Sequence, residues 1–524
     1  MRLGVLVLHY FMMIRFLLPI LIWLSAALPA LAQAVEARSD HFVLISEAPV
    51  DAAALLSDLE QFRLAVMADL GLQPDADEPP LRLNIIRDLD VFAAISPGGI
   101  TAAIYRQSAA GNDIVIGYSE DPEALLGNAL DPGGLRLVLR HEFVHHILEM
   151  HYPRKLPIWL GEGLAEYYAT FEQTQDGQSR FGRALPEQDL LSDTRTWLPM
   201  RTVIESMARY PDFRTIPAPS EFWAQRLYYG QSWALAHFIM DRPDGLARIH
   251  RFVDRWHPAT DSEDSFEQEF GLRYDRLEAE VRQEFSGRAN DLQGRPIPGL
   301  LQRLTSRTPT ADDIALNHLR LILSHGRDSR QNAHLIERLR AQVGRPDREP
   351  SLDQQFAEAL WHWKAGDWTA ADMIIADILA RDPAHPAALK LNVKSAYRAM
   401  AERQTDQARW IAAEDAAIQA LASQPHDAEL HLFRVAATAP INNRLPEAAR
   451  ASLDWLIKEQ THLRMPSLSM MMVPALIYEK RFDHAEHVLD FAERWTIRPT
   501  DQRVIDNLRA NVDAQRAAQV SAAP

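Results

Sequence analysis

The sequence predicts an α+β domain, a small mixed sheet with a group of helices, followed by an all-α solenoid of helical repeats. Three observations carry this. Strand-like runs alternate with one helical stretch from Asp40 to about Gly117. Two apolar helices carrying His and Glu follow between Leu135 and about Glu172. Beyond a Gly and Pro cluster at 287–301, helix pairs recur with no strand signal. At 524 residues the chain is too long for one compact core, so more than one domain is expected.

The N-terminus reads as an export signal over residues 1–32. An apolar run after Arg15 ends in the small-residue pattern Ala30-Leu31-Ala32, a cleavage site before Gln33. A start at Met12 or Met13 would make Arg15 the charge of a short leading region. The competing reading is an uncleaved anchor, because Leu3 to Leu31 is long enough to span a bilayer. Cleavage implies an exported chain, periplasmic by expectation; a membrane association is expected only for the uncleaved form. The chain has no cysteine, which removes disulfides, thiol nucleophiles and Cys-ligated zinc together. A formal charge of -16 with no basic stripe argues against a nucleic-acid partner.

The α+β domain is expected over 35–286. "HFVLIS" (41–46), "LRLNII" (81–86) and "DIVIGY" (113–118) read as strands, and 51–71 as a helix stopped by Gly71. "SPGGI" (96–100) is turn chemistry. Together these suggest a sheet with helices on one face. The stretch 173–220 is polar and Pro-interrupted, expected as loops around short helices. Residues 221–241 form a strongly apolar helix candidate, and helices continue to Phe285. Residues 287–300 are expected as a linker.

Over 301–515 the pattern is helical throughout. "WKAGDWTAADMIIADILARDP" ends at Pro383 and "AEDAAIQALASQP" ends at Pro425, 42 residues later. Helix pairs at such a period cannot bury their apolar faces alone and therefore stack. Gly366-Asp367-Trp368, Ala371 and Asp382-Pro383 make this region similar to tetratricopeptide repeats. That resemblance implies a surface for a protein partner or a substrate.

The chemistry concentrates in "RHEFVHHILEM". His141 and His145 are i and i+4, so they leave one helix face a turn apart and can grip one zinc ion. Glu142 points about 100° away from His141 and can lean over the open side of a metal. His146 points further round and is not expected to ligate, and Glu149 is expected as a helix-end carboxylate. With 19 histidines, an H-E-x-x-H pattern arises by chance in about one such chain in 25 to 30, so a third ligand is needed. In "LPIWLGEGLAEYYATF", Glu162 and Glu166 are again i and i+4, flanked by Trp159, Leu160, Leu164 and Tyr167. A carboxylate pair among such neighbours is costly to bury without a positive partner, and a dication between the two helices supplies one.

His141-Glu142-x-x-His145 followed by Trp159-Leu160-Gly161-Glu162-Gly163-Leu164-Ala165-Glu166 resembles the gluzincin metallopeptidases, the thermolysin and aminopeptidase-N superfamily. More narrowly, it is similar to bacterial peptidase-MA-like proteins that join such a domain to helical repeats. The resemblance implies one zinc ion per chain, ligated by His141, His145 and Glu162. It implies Glu142 as general base and then acid, and Glu166 as the carboxylate that orients His141. It also implies an oxyanion-donating tyrosine three residues before a helix start. Aligning "WALAHFI" with that helix puts Tyr229 in the role, with Tyr228 as the alternative; Ser232 stands where the family has glycine. The aminopeptidase G-x-M-E-N motif is absent.

The implied activity is hydrolysis of peptide bonds in a peptide or protein substrate. Three protein ligands leave zinc's fourth position to water, lowering its pKa to about 7. Glu142 would take the proton and pass it to the leaving amine. The "DIVIG" strand is expected to lie at the sheet edge and pair with the substrate backbone. The alternative is a non-catalytic scaffold or binding protein in which the H-E-x-x-H domain holds a structural or idle metal.

Overall fold

The computed structural model describes residues 34–521 except 74–77, 97–102, 120–131, 153, 185–196, 217, 257–261, 288–294, 297–302, 327–330, 345–348, 403–405, 439–444 and 497. The expected signal at 1–32 lies outside the described residues. Among those residues, no helix is long and apolar enough to cross a membrane.

The expected strands form, with Gly71 at φ +66° closing the helix between the second and third. They are β1 (Val35–Arg38), β2 (Phe42–Ser46), β3 (Leu81–Ile86), β4 (Ala103–Ser108) and β5 (Gly111–Gly117), with β9 (Thr305–Arg307) added. The sheet order is β4-β5-β3-β2-β1-β9. β2, β3 and β5 run parallel, while β4, β1 and β9 pair antiparallel with their neighbours, so the sheet is mixed. A second sheet joins β6 (Glu172–Gln173), β7 (Gln178–Arg180) and β8 (Arg295–Pro296).

Three expectations need correction. First, the 113–118 strand is not the edge. It pairs with β3 on one side and β4 on the other, so the edge belongs to β4. Second, helices cover both faces. Leu83, Ile85, Ile114 and Ile116 pack against α1 (Ala52–Asp69) and the site helices, while Ile86 and Val115 pack the other way. That second face meets α2 (Leu89–Ile95) and the first helix of the C-terminal half, α10 (Ala311–His325). Third, β8 and β9 are strands beyond residue 286 that complete N-terminal sheets, so the Gly and Pro cluster ends no layer cleanly.

The second face is not wholly apolar. Asp113 on β5 is fully buried and accepts from Arg320 Nη1 and Nη2 at 2.8 and 2.7 Å, His325 Nε2 at 2.9 Å and Asn84 Nδ2 at 3.0 Å. Each partner satisfies a charge that burial would otherwise penalise.

The site sits among α3 (Pro132–Met150), α4 (Ile158–Ala169) and α6 (Glu221–Met240), with α5 (Met200–Ile204) between the last two in sequence. Ser220 caps α6 by accepting from the Trp223 N–H at 3.2 Å. Helices α7 (Gly245–Arg255), α8 (Ser262–Phe270) and α9 (Tyr274–Gly287) follow. The C-terminal half is mostly helical, and successive helices pack on their neighbours: Leu352–Ala365 on Trp368–Arg381, Pro386–Glu402 on Gln407–Ser423, Gln407–Ser423 on Ala428–Thr438. Its far end returns to the site domain. The Lys155 N–H donates to Leu463 O at 3.0 Å, Arg464 donates to Met150 O, and Trp256 and Trp495 lie 6.2 Å apart.

Candidate metal centre

Helix α3 has two working faces. Phe143, Val144 and Ile147 face the core, where the Phe143 ring meets Phe42 at 5.0 Å and Phe62 at 6.0 Å. That burial leaves His141 and His145 turned toward α4, with Glu142 turned toward β4. Arg140 fixes the pairing of the two helices. It donates through Nε and Nη2 to Asp58 of α1 at 3.1 and 2.5 Å, and through Nη1 to the carbonyl oxygen of Phe171 just past α4 at 2.8 Å. Helix α4 is pressed onto α6 at Gly163, where an added Cβ would lie 2.2 Å from Ser232 O. The glycine that permits this close approach sits on α4, opposite the serine of α6.

His141, His145 and Glu162 converge. Nε2 of His141 lies 3.2 Å from Nε2 of His145, and Oε2 of Glu162 lies 3.3 and 3.5 Å from these two atoms. A tetrahedral zinc ion at about 2.0–2.2 Å from N and O ligands sets its ligand atoms about 3.3–3.5 Å apart. The three atoms therefore fit a metal, and the facing nitrogens need a shared proton or a cation. Glu166 Oε1 lies 3.4 Å from His141 Nδ1, a position that orients the ring. Among the described residues no Lys or Arg lies within 4.0 Å of Glu162 or Glu166, so the site keeps its negative charge for a bound cation.

The electrostatics agree. Burial opposes charge on His141, but the Glu162 and Glu166 carboxylates outweigh it and hold its pKa well above the ordinary imidazole value. His145 moves the same way, with burial opposed mainly by Glu162. Burial would raise the Glu162 carboxyl, yet the two imidazoles hold it far below the usual carboxylate range. Such mutual shifts show imidazoles and a carboxylate that stabilise one another's charge, a donor set that could also accept a cation.

Glu142 is held from the sheet edge. Its Oε2 accepts from the Tyr105 backbone N–H of β4 at 2.8 Å. Tyr105 and its strand were not foreseen; the signal was "AIYRQSAAGNDIVIG", two β-rich runs around a short Gly-containing turn.

Tyr229 lies inside α6 rather than before a helix start, a correction to the expected local geometry, because the helix runs unbroken from Glu221. Its hydroxyl accepts from Gln225 Nε2 at 3.3 Å, and burial with the Glu162 charge pushes its pKa up. Tyr228 is fully buried. The hydroxyl that reaches the ligand set is Tyr210, which donates to Glu162 Oε1. Nothing local in "MARYPDF" marks that residue.

Among the described residues, two other groups could hold an ion. In one, Glu78 lies between His146 Nε2 at 2.9 Å and His151 Nε2 at 3.0 Å. These are hydrogen-bond lengths, and Arg63 stands 3.9 Å from the same carboxylate. Burial holds the His146 pKa down, and its Nδ1 faces the Tyr105 hydroxyl at 3.1 Å, so this residue supports the sheet edge and does not join the ligands. In the other group, His237, Asp241 and Glu284, Arg242 lies 3.4 Å from Glu284. A fixed guanidinium competes with a dication at both places.

A family model described as a protein of unknown function (DUF1570) matches residues 138–259. That span holds His141, Glu142, His145, Glu162, Glu166, Tyr210 and Tyr229. No curated protein and no solved structure matches the chain.

Proposed function

We propose that the chain is a zinc-dependent peptidase of gluzincin type, exported through its N-terminal segment, with a tetratricopeptide-like region for a partner or substrate. The observation that carries this reading is the triangle of His141, His145 and Glu162 at metal-ligand spacing beside a Glu142 that the sheet edge holds in place. Those three residues would hold the metal, with Glu166 steering His141. A bound zinc ion would supply Lewis acidity for the carbonyl and for water.

The chain's own groups do the rest. The Tyr105 N–H occupies one oxygen of Glu142, which fixes the carboxylate and leaves the other oxygen to take a proton from water and deliver it to the leaving amine. An extended substrate is expected to lie along β4, the true sheet edge, where main-chain pairing gives binding without sequence demands. Tyr229 is the candidate donor to the oxyanion.

The test measures zinc content and cleavage of a pooled peptide library, wild type against Glu142→Gln. We expect one zinc per chain in both proteins and an activity loss of about 10²–10⁴-fold in the variant. Zinc in both with cleavage in neither would favour the scaffold alternative.

A further inference from the structure

The oxygens of Glu162 are divided between two tasks. Oε2 faces both ligand imidazoles, at 3.3 and 3.5 Å, while Oε1 accepts from the Tyr210 hydroxyl. Glu162 is 5% exposed, and among the described residues no other donor reaches Oε1. Tyr210 itself sits in the irregular stretch between α5 and the turn at Phe213–Thr215. One side of its ring meets Tyr228 at 6.0 Å, Phe213 at 6.2 Å and Tyr229 at 6.5 Å; the residue is 42% exposed, and its hydroxyl turns inward to the carboxylate.

We propose that Tyr210 is a positioning residue that restrains Glu162 to ligate through Oε2 alone, which keeps the remaining coordination position open. The inference rests on the reading of His141, His145 and Glu162 as metal ligands. A carboxylate free at both oxygens can rotate and chelate, and a chelating Glu162 would occupy the position that hydrolytic chemistry needs for water or a carbonyl. The hydroxyl prevents this by engaging Oε1 while Oε2 faces the imidazoles. Loss of such an outer partner lowers metal affinity by about 10–100-fold. No substrate contact is assigned to the residue.

The full-length protein, stripped with a chelator, tests this. Zinc affinity is read by competition with a chromophoric chelator, and coordination number by the visible spectrum of the cobalt(II) form. Tyr210→Phe keeps the aromatic packing and should leave the metal-free melting temperature unchanged. It should weaken zinc binding about 10–100-fold and reduce the cobalt bands as four-coordination gives way to five. If Tyr210→Phe melts early, Phe213→Leu is the reference, because it disturbs the same packing but keeps the hydroxyl, and it should leave zinc affinity and the cobalt spectrum unchanged. A zinc affinity within twofold of wild type with a superimposable cobalt spectrum overturns the proposal. Wild type that takes up neither metal overturns this inference and the metal reading together. Wild type that binds zinc but cleaves nothing sinks the peptidase reading and leaves the Tyr210→Phe comparison decisive.

Discussion

Replacing Arg320 with Leu should detach the C-terminal half from the sheet at its firmest point. Arg320 delivers both terminal nitrogens to Asp113, a fully buried carboxylate, and also holds Asn317 Oδ1 at 2.9 Å. Burial alone would push the Asp113 carboxyl up; Arg320 and His325 hold it far below the usual carboxylate range instead. Removing the guanidinium leaves a buried carboxylate hydrogen-bonded by Asn84 and His325, with Arg82 opposite it on β3, a change that costs about 3–5 kcal/mol. That is a large share of the roughly 5–15 kcal/mol that keeps a domain folded. The assay is urea unfolding followed by circular dichroism at pH 7. The double variant Asp113→Leu with Arg320→Leu should recover part of the loss, because it removes both charges together while His325, Asn84 and Asn317 lose partners. The sign of the pH dependence follows from the depressed Asp113 carboxyl. Its contribution is complete above the unfolded value of about 3.9 and disappears as pH falls through the folded value, so the gap to Arg320→Leu should narrow in acid. A loss below about 1 kcal/mol at pH 7 would refute the idea that this pair seals α10 onto the sheet.

Two further outcomes test the frame around the metal. Gly163→Ala would place a Cβ 2.2 Å from the Ser232 carbonyl oxygen, which is backbone and cannot swing away, so α4 and α6 must separate. We expect a loss of about 1–3 kcal/mol in thermal unfolding together with weaker zinc binding, since Glu162 is the adjacent residue; an unchanged melt would contradict the close packing. Glu166→Ala should lower zinc affinity about 10–100-fold by releasing the His141 ring, and titration of metal-free protein measures it. Equal affinities would assign Glu166 to the surface.

The division between what the chain revealed and what it concealed has a physical cause. His141 with His145, and Glu162 with Glu166, were legible because helical geometry brings i and i+4 to one face, so each half of the candidate site is local in sequence. The groups that hold those halves are not local. Tyr105 reaches Glu142 from 37 residues away, Tyr210 reaches Glu162 from 48, and Arg140 reaches Asp58 across 82. Each acts through a backbone N–H, a loop hydroxyl or a paired charge, and none of these carries a period. Polar residues in strands misled for the same reason. Asn84 and Asp113 mimic a solvated face, because alternation distinguishes polar from apolar but not water from a distant guanidinium. The expectation of helices on one face therefore left out the face on which the C-terminal half is mounted. With Lys155 bonded to Leu463 and Met150 to Arg464 at its other end, that half grips both the sheet behind Glu142 and the connection between α3 and α4. A helical region fastened at both ends is poorly suited to act as a loose recruiting arm. Strain applied to its middle would be carried to α3 and α4, the two helices that hold the candidate ligands.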